Sequence, residues 1–152
     1  MGSASPAYLN IDRENHPAVL AGRRSREAVI ARDKQAWLAN FADVATVEDP
    51  VGPSMFDEEG RGHRGADELS SFWDKTIGTT EKIDFVFDRE IICGDEVAYI
   101  GTIVTHIGGH VSEASGVFTY KADDDGRLLA LRAFWEVEAT IKSLRPASSP
   151  AP

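Results

Sequence analysis

The sequence predicts an α+β domain in which three N-terminal helices cover one face of a curved, mainly antiparallel β-sheet. Apolar residues recur at helical spacing through residues 17–77, and they alternate with polar residues through residues 81–141. Two isolated glycines, Gly101 and Gly116, stand inside predicted strands, where they would let the sheet bend. A bent sheet covered by helices forms a cone, and its mouth is where a deep apolar pocket is expected.

The composition narrows the functional class. The chain has 152 residues, which suits one domain, and a formal net charge of −9, which argues against nucleic acid and anionic membranes as partners. The basic run Arg23–Arg26 is interpreted as a solvated helix face. The single Cys93 fits a reducing compartment, and neither a signal peptide nor a membrane-spanning run is evident. A cytoplasmic location is therefore expected.

The chain divides into an arm, a domain and a tail. Residues 1–15 are rich in Gly, Ser, Pro and Asn without periodicity and are expected to form a flexible arm. Residues 16–145 are expected to form the single domain, and residues 146–152, "PASSPAP" after Arg145, a disordered tail.

The three helices have recognisable starts. Pro17 suits the first position of a helix that runs to about residue 32, and Asp33 can cap a second, short helix. The third is predicted over residues 66–77. Its apolar face consists of Leu69, Phe72, Trp73 and Ile77.

The sheet is predicted as one short strand followed by a four-stranded meander. The first strand ends at Pro50, and residues 52–65 form a long Gly- and acid-rich loop of the kind that often borders a binding site. The last strand is predicted over residues 128–141. Several strands are apolar on both faces, so the outer face is expected to form a homodimer.

The histidines do not predict a metal site. His106 and His110 flank the Gly108-Gly109 hairpin turn, so they belong to adjacent cross-strand pairs and face opposite sides of the sheet. His63 lies in the long loop and is a candidate for the pocket mouth. Neither a nucleophile elbow nor a dinucleotide-binding loop is evident, so no cofactor is expected.

Asp49 allows two interpretations. An Asp-Pro pair after a strand is usually the start of a turn. However, Val47 and Val51 flank the acid and the long loop follows directly, which favours a half-buried carboxylate at the mouth of a pocket.

The segment "FADVATVEDPVG" (41–52) closely resembles the part of Δ5-3-ketosteroid isomerases that carries the catalytic base. These enzymes belong to the cone-shaped NTF2-like, or SnoaL-like, superfamily, and the resemblance covers roughly residues 17–140, including "RGADELSSFW" and "GRLLALRAFW". It implies that Asp49 is a general base that moves a proton beside a ketone through a dienolate. It also implies that Trp135 lines the pocket and that the ligand is a small, steroid-like hydrophobic molecule.

The resemblance fails at the two acids that hold the ketone oxygen in this family. The tyrosine position aligns with Ser25 and the protonated aspartate position with Phe118, and neither can replace an acid. Tyr120, Tyr99 and Trp135 are the candidate substitutes.

Two further residues are possible oxygen ligands. Glu113 would enter the pocket if Gly116 bulged its strand, and His63 would enter by swinging in from the loop.

The side chains expected to contact the substrate comprise these candidates and the aromatic faces of the helices. They are Trp135, Tyr120, Tyr99, Phe118, Trp37, Phe72, Trp73 and His63. Three functions share this pocket: an isomerase-like enzyme with Asp49 as base, a lipophilic or steroid-binding protein with little activity, and a polyketide cyclase- or epoxide hydrolase-like enzyme.

Overall fold

The helices of the computed structural model, which describes residues 5–148, begin and end near their predicted bounds. They are α1 (Pro17–Ile30), α2 (Lys34–Ala39) and α3 (Gly65–Lys75), with short 3-10 turns at Ala7–Leu9 and Ile77–Thr79. The predicted cap of α2 is confirmed: the Asp33 carboxylate accepts a hydrogen bond from the backbone N–H of Ala36 at 3.0 Å.

Within residues 5–148 the sheet has seven strands. In chain order they are β1 (Phe41–Glu48), β2 (His63–Arg64), β3 (Lys82–Cys93), β4 (Glu96–Ile107), β5 (His110–Ala122), β6 (Leu128–Trp135) and β7 (Arg145–Pro146). Their spatial order is β2-β1-β6-β5-β4-β3, and β7 pairs with β5. The pair β1–β6 is parallel and the others are antiparallel. The predicted α+β class and NTF2-like cone are confirmed.

The core lies between the helices and the concave face of the sheet. The predicted apolar face of α3 is buried there, with Leu69, Phe72 and Trp73 each at most 5% exposed. Trp37 of α2 is 1% exposed and packs against Phe72 and Trp73 at ring-centroid distances of 6.2 and 5.4 Å. Trp37 also contacts Phe41 of β1 at a ring-centroid distance of 4.7 Å, so the aromatic cluster joins α2 and α3 to the sheet.

The last strand is shorter than predicted. It ends at Trp135, and residues Val137–Lys142 form a further helix, α4. Glu138 and Lys142 form an i,i+4 ion pair at 2.8 Å, with the acid in the first turn and the base in the last, which suits the helix dipole. The alternation of residues 137–141 is also compatible with helical spacing, and this ambiguity made the strand prediction wrong there.

The described residues of the predicted tail are paired with the sheet, which contradicts their prediction as disordered. Pro146, the first residue of the predicted tail, pairs with His110 of β5, and the N–H of Ala147 donates to the carbonyl oxygen of Gly109 at 2.8 Å. Residues 1–4 of the predicted arm and 149–152 of the predicted tail lie outside the described residues. No helix within residues 5–148 is long and apolar enough to cross a bilayer.

The sheet bends where the two predicted glycines face each other. Gly101 of β4 pairs directly with Gly116 of β5, and the ladder between β3 and β4 is interrupted nearby, between Phe87 and Arg89. A Cβ on Gly101 would collide with the carbonyl oxygen of Val86, and one on Gly116 with that of Phe134. The neighbouring backbones therefore approach more closely than any side chain permits.

Gly116→Ala should destabilise the protein by more than about 2 kcal/mol, because the new methyl group has backbone rather than a movable side chain against it. The free energy of unfolding in urea measures the effect. Ser115→Ala, one residue away on the exposed face, is the matched control and should change it by less than about 1 kcal/mol. Equal changes in the free energy of unfolding for the two substitutions would contradict the close approach of the Phe134 backbone to Gly116.

Candidate functional site

A cavity of about 590 Å³ opens between the concave face of the sheet and the helices. Its walls are mainly apolar, with buried side chains such as Val29 and Phe118 inside and exposed ones such as Met55, Ile141 and Leu144 at the rim. The volume and lining suit a small hydrophobic ligand.

Asp49 lines this cavity, and the chain on both sides of it is fixed. Before it, Val47 in β1 is completely buried. After it, Pro50 is buried, and the N–H of Val51 donates to the carbonyl oxygen of Ala133 in β6 at 2.8 Å. The segment that carries the carboxylate is therefore tied to the neighbouring strand.

The Asp49 carboxylate has one close hydrogen-bond donor. The indole Nε1–H of Trp135 donates to its Oδ1 at 2.7 Å. Burial raises the pKa of Asp49, while the bond from Trp135 and the nearby His63 ring partly oppose that rise. A carboxylate in this environment holds a proton more strongly than one in water, as a general base for a weakly acidic C–H requires.

Of the three candidate oxygen donors, only Tyr120 lines the cavity with a hydroxyl that is not already committed to a carboxylate. The Tyr99 hydroxyl donates to Glu90 Oε2 at 2.9 Å, and Tyr99 is not part of the lining. Trp135 lines the cavity, but its N–H already donates to Asp49. Burial raises the pKa of the Tyr120 hydroxyl, and the charge of Asp49 adds to that rise.

The two aligned positions without an acid both face the cavity. Ser25 of α1 is buried and belongs to the lining, as does Phe118 of β5. Phe118 stacks on Phe87 with ring centroids 5.2 Å apart. Neither residue provides a strong donor, so the structure offers no acid at either place.

The remaining aromatic residues divide into two groups. Trp37 and Phe72 line the cavity, whereas Trp73 packs beside Trp37 and His63 beside Phe72 at a centroid distance of 4.7 Å. Trp73 and His63 therefore support the lining side chains and are not themselves part of the wall.

Asp49 is the only carboxylate that lines the cavity within the described residues. Glu113 is exposed and pairs with Arg145 at 3.0 Å, so the bend at Gly116 does not turn it inward. Arg132 pairs with Glu48 at 3.0 Å on the outer face of the sheet. The lining thus lacks the second acid and the inward arginine of an Asp/Arg/Asp cluster.

The predicted loop over residues 52–65 is shorter in the structure, because residues 63–64 form β2 and Gly65 begins α3. The remaining loop reaches the cavity through Met55 and Phe56. Its shape is held by the Asp57 carboxylate, which accepts from the successive backbone N–H groups of residues 60–62 at 3.0, 3.2 and 2.7 Å. These bonds lower the pKa of Asp57. The loop is therefore an internally braced border of the mouth.

Sequence reasoning missed the contribution of α4 to the lining. Val137, Thr140, Ile141 and Leu144 all face the cavity. Their spacing of three to four residues is the helical signal that could have identified this wall.

The interpretation of Arg23–Arg26 as a solvated face was wrong for its second half. Ser25 is buried, and the Arg26 guanidinium lies over the rings of Tyr99, Tyr120 and Phe87, with its Cζ 4.5, 5.4 and 5.5 Å from their centroids. No signal in the sequence separates this arginine from its exposed neighbour Arg23.

Known proteins that are similar to this chain share its fold. A family model described as "SnoaL-like domain" matches residues 23–139. No curated protein matches the chain significantly. The crystal structure of RV0760c from Mycobacterium tuberculosis has a TM-score of 0.78 and 30% identity, over 86% of this chain and 96% of that chain.

Two further structures are similar over the same region. RV0760c in complex with estradiol-17β-hemisuccinate has a TM-score of 0.77 at 28% identity, over 86% of this chain and 99% of that one. A Δ5-3-ketosteroid isomerase from Mycobacterium sp. has a TM-score of 0.77 at 32% identity, over 86% and 98% of the two chains. The chain belongs to the SnoaL-like family within the NTF2-like superfamily.

Proposed function

We propose that this protein is a steroid Δ5-3-ketosteroid isomerase-like enzyme, which shifts a C=C bond in a flat hydrophobic ketone without a cofactor. The observation that carries the proposal is the position of Asp49, a lone carboxylate in an apolar cavity with its pKa raised by burial. The similarity to a Δ5-3-ketosteroid isomerase supports the reaction type.

The proposed reaction is an intramolecular proton transfer. Asp49 removes a proton from the carbon beside the ketone, the electrons move into a dienolate, and the protonated Asp49 returns the proton two carbons away. Trp135 holds the carboxylate in place through its 2.7 Å bond, so that one oxygen faces the ligand. The apolar walls exclude water from the dienolate.

Tyr120 is the proposed donor to the ketone oxygen, because it is the lining phenol whose hydroxyl is not engaged by a carboxylate. One phenol in place of two acids stabilises the dienolate less, and losing one such donor typically costs a factor of about 10²–10³ in rate. A slow isomerase is therefore expected.

Asp49→Asn should lower kcat by about 10²–10⁴-fold, since an amide cannot accept the proton. The conjugated enone formed from a Δ5-3-ketosteroid is followed by its ultraviolet absorbance. Asp43→Asn, an exposed acid on the same strand, is the matched control and should retain full activity. Absence of turnover in the unmodified protein, or equal turnover in the Asp49 variant, would refute the isomerase proposal.

Trp135→Phe should move the acidic limb of the pH profile of kcat/KM to higher pH. The reaction needs Asp49 ionised, and Trp135 donates to the ionised form, so loss of the indole N–H raises the pKa of Asp49 further. Activity would then disappear at a higher pH as the solution is acidified. Trp73→Phe, a buried tryptophan that does not bond Asp49, should leave the limb in place; a common shift in both variants would contradict this assignment.

The second candidate function is a binding protein for a steroid or other lipophilic molecule. It is favoured by the absence of an acid at Ser25 and Phe118, and by the complex of the similar RV0760c with an estradiol derivative. Tight steroid binding in calorimetry together with no turnover would support it over the isomerase. A cyclase- or epoxide hydrolase-like reaction is disfavoured because Asp49 is the sole lining carboxylate within residues 5–148.

We further propose that the outer face of the sheet forms a homodimer. Exposed apolar side chains lie on this face among polar ones, and two of them, Val86 and Phe134, are 58% and 41% exposed. An uncovered apolar patch of this kind is typical of an interface.

Phe134→Glu should convert the dimer into a monomer at micromolar concentration, as measured by sedimentation velocity. Ile30→Glu, an exposed apolar residue on the helical side, is the control and should stay dimeric. A monomeric unmodified protein would rule out the proposed interface.

A further inference from the structure

We propose that Arg26 is a positioning residue for the oxygen-binding end of the cavity, where its charge strengthens Tyr120 as a donor to an oxygen that carries negative charge. The inference deepens the proposed function and rests on its use of Tyr120 as the oxygen donor. Arg26 would compensate in part for the two acids that are absent at the positions of Ser25 and Phe118.

The first observation is the environment of the guanidinium. Its Cζ lies 4.5 Å from the ring centroid of Tyr99, 5.4 Å from that of Tyr120 and 5.5 Å from that of Phe87. Ring faces attract a cation, and they do so more strongly when water is excluded. Within residues 5–148 no carboxylate pairs with Arg26, and its buried Nη1 has no hydrogen-bond partner.

The second observation is how closely the helix that carries Arg26 approaches Tyr120. A Cβ on Gly22, one turn earlier in α1, would lie 3.0 Å from Tyr120 Cγ and 3.3 Å from Arg26 Nη1. The guanidinium thus folds back over a glycine, between the helix and the tyrosine ring. This packing keeps the charge directly behind the wall of the cavity.

The third observation is the effect of the Arg26 charge on the pKa of the Tyr120 hydroxyl. Tyr120 lines the cavity, whereas Arg26 does not. Burial raises the pKa of the Tyr120 hydroxyl, and the Arg26 charge partly opposes that rise. The guanidinium thus keeps Tyr120 a better donor to an anionic oxygen than burial alone would leave it, and a cation behind the ring favours that anion further.

Arg26 is half-buried and forms no ion pair within residues 5–148, and taking a charge out of water without pairing it costs free energy. An apolar residue would therefore serve a purely structural role here better. The Glu90 carboxylate, which accepts from the Tyr99 hydroxyl at 2.9 Å and from Arg13 at 3.2 Å, forms no ion pair with Arg26. The positive charge of Arg26 therefore has no countercharge beside the cavity, and a negatively charged ligand oxygen in the cavity would supply one.

The test is the binding of substituted phenols of similar size and graded acidity, measured by calorimetry at one pH. In the unmodified protein, affinity should rise with phenol acidity. Arg26→Met should remove that dependence and weaken the most acidic phenol about ten-fold, while a flat hydrocarbon without oxygen binds as before. Arg23→Met, the same charge change at an exposed position on α1, should retain the dependence.

Two further variants test the same role if Arg26→Met does not fold. Arg26→Lys retains the charge and should keep the dependence on acidity, and Tyr120→Phe should abolish it. An unchanged dependence in Arg26→Met or Tyr120→Phe, or an equal loss for phenols and the hydrocarbon, would overturn the assignment. These readouts need no turnover, so they are independent of whether the isomerase assay succeeds.

Discussion

The hydrogen bond from Trp135 to Asp49 is the interaction on which the arrangement of the strands and helices around this cavity depends. A carboxylate surrounded by apolar walls needs at least one donor, and here the donor comes from the far end of the chain. The parallel pairing of β1 with β6 brings the two residues together, because it places the strand that precedes Asp49 beside the strand that ends at Trp135. The meander, the bend at its glycines and the covering helices then close around this pair.

Two ionisable groups of opposite charge, Asp49 in the cavity lining and Arg26 behind the cavity wall, form no ion pair with each other. Asp49 has an indole donor, and Arg26 has the faces of three aromatic rings. Each partner is weaker than a countercharge, so both groups retain electrostatic influence on whatever occupies the cavity. Such arrangements reduce stability, and proteins typically keep them only where function requires them.

Local patterns were sufficient to predict α1, α2 and α3, the Asp33 cap, the Gly108-Gly109 hairpin and the bend at the facing glycines. The position of Asp49 beside a cavity was predictable because the segment that resembles the family and the apolar flanks of the acid are contiguous in the chain. Arg26 was not, because whether an arginine faces solvent or a ring depends on residues more than 60 positions away, such as Phe87 and Tyr99. The helix α4 was missed because residues 137–141 satisfy both periodicities.

The interior and the rim of the cavity are built by different parts of the chain. The polar side chains Ser25, Tyr120 and Trp135 belong to α1 and the sheet, whereas part of the rim, including Ile141 at 56% exposure, belongs to the six-residue helix α4. For a cavity that takes the proposed ligand, substitutions in α4 would change how fast the ligand leaves more than which ligand is bound.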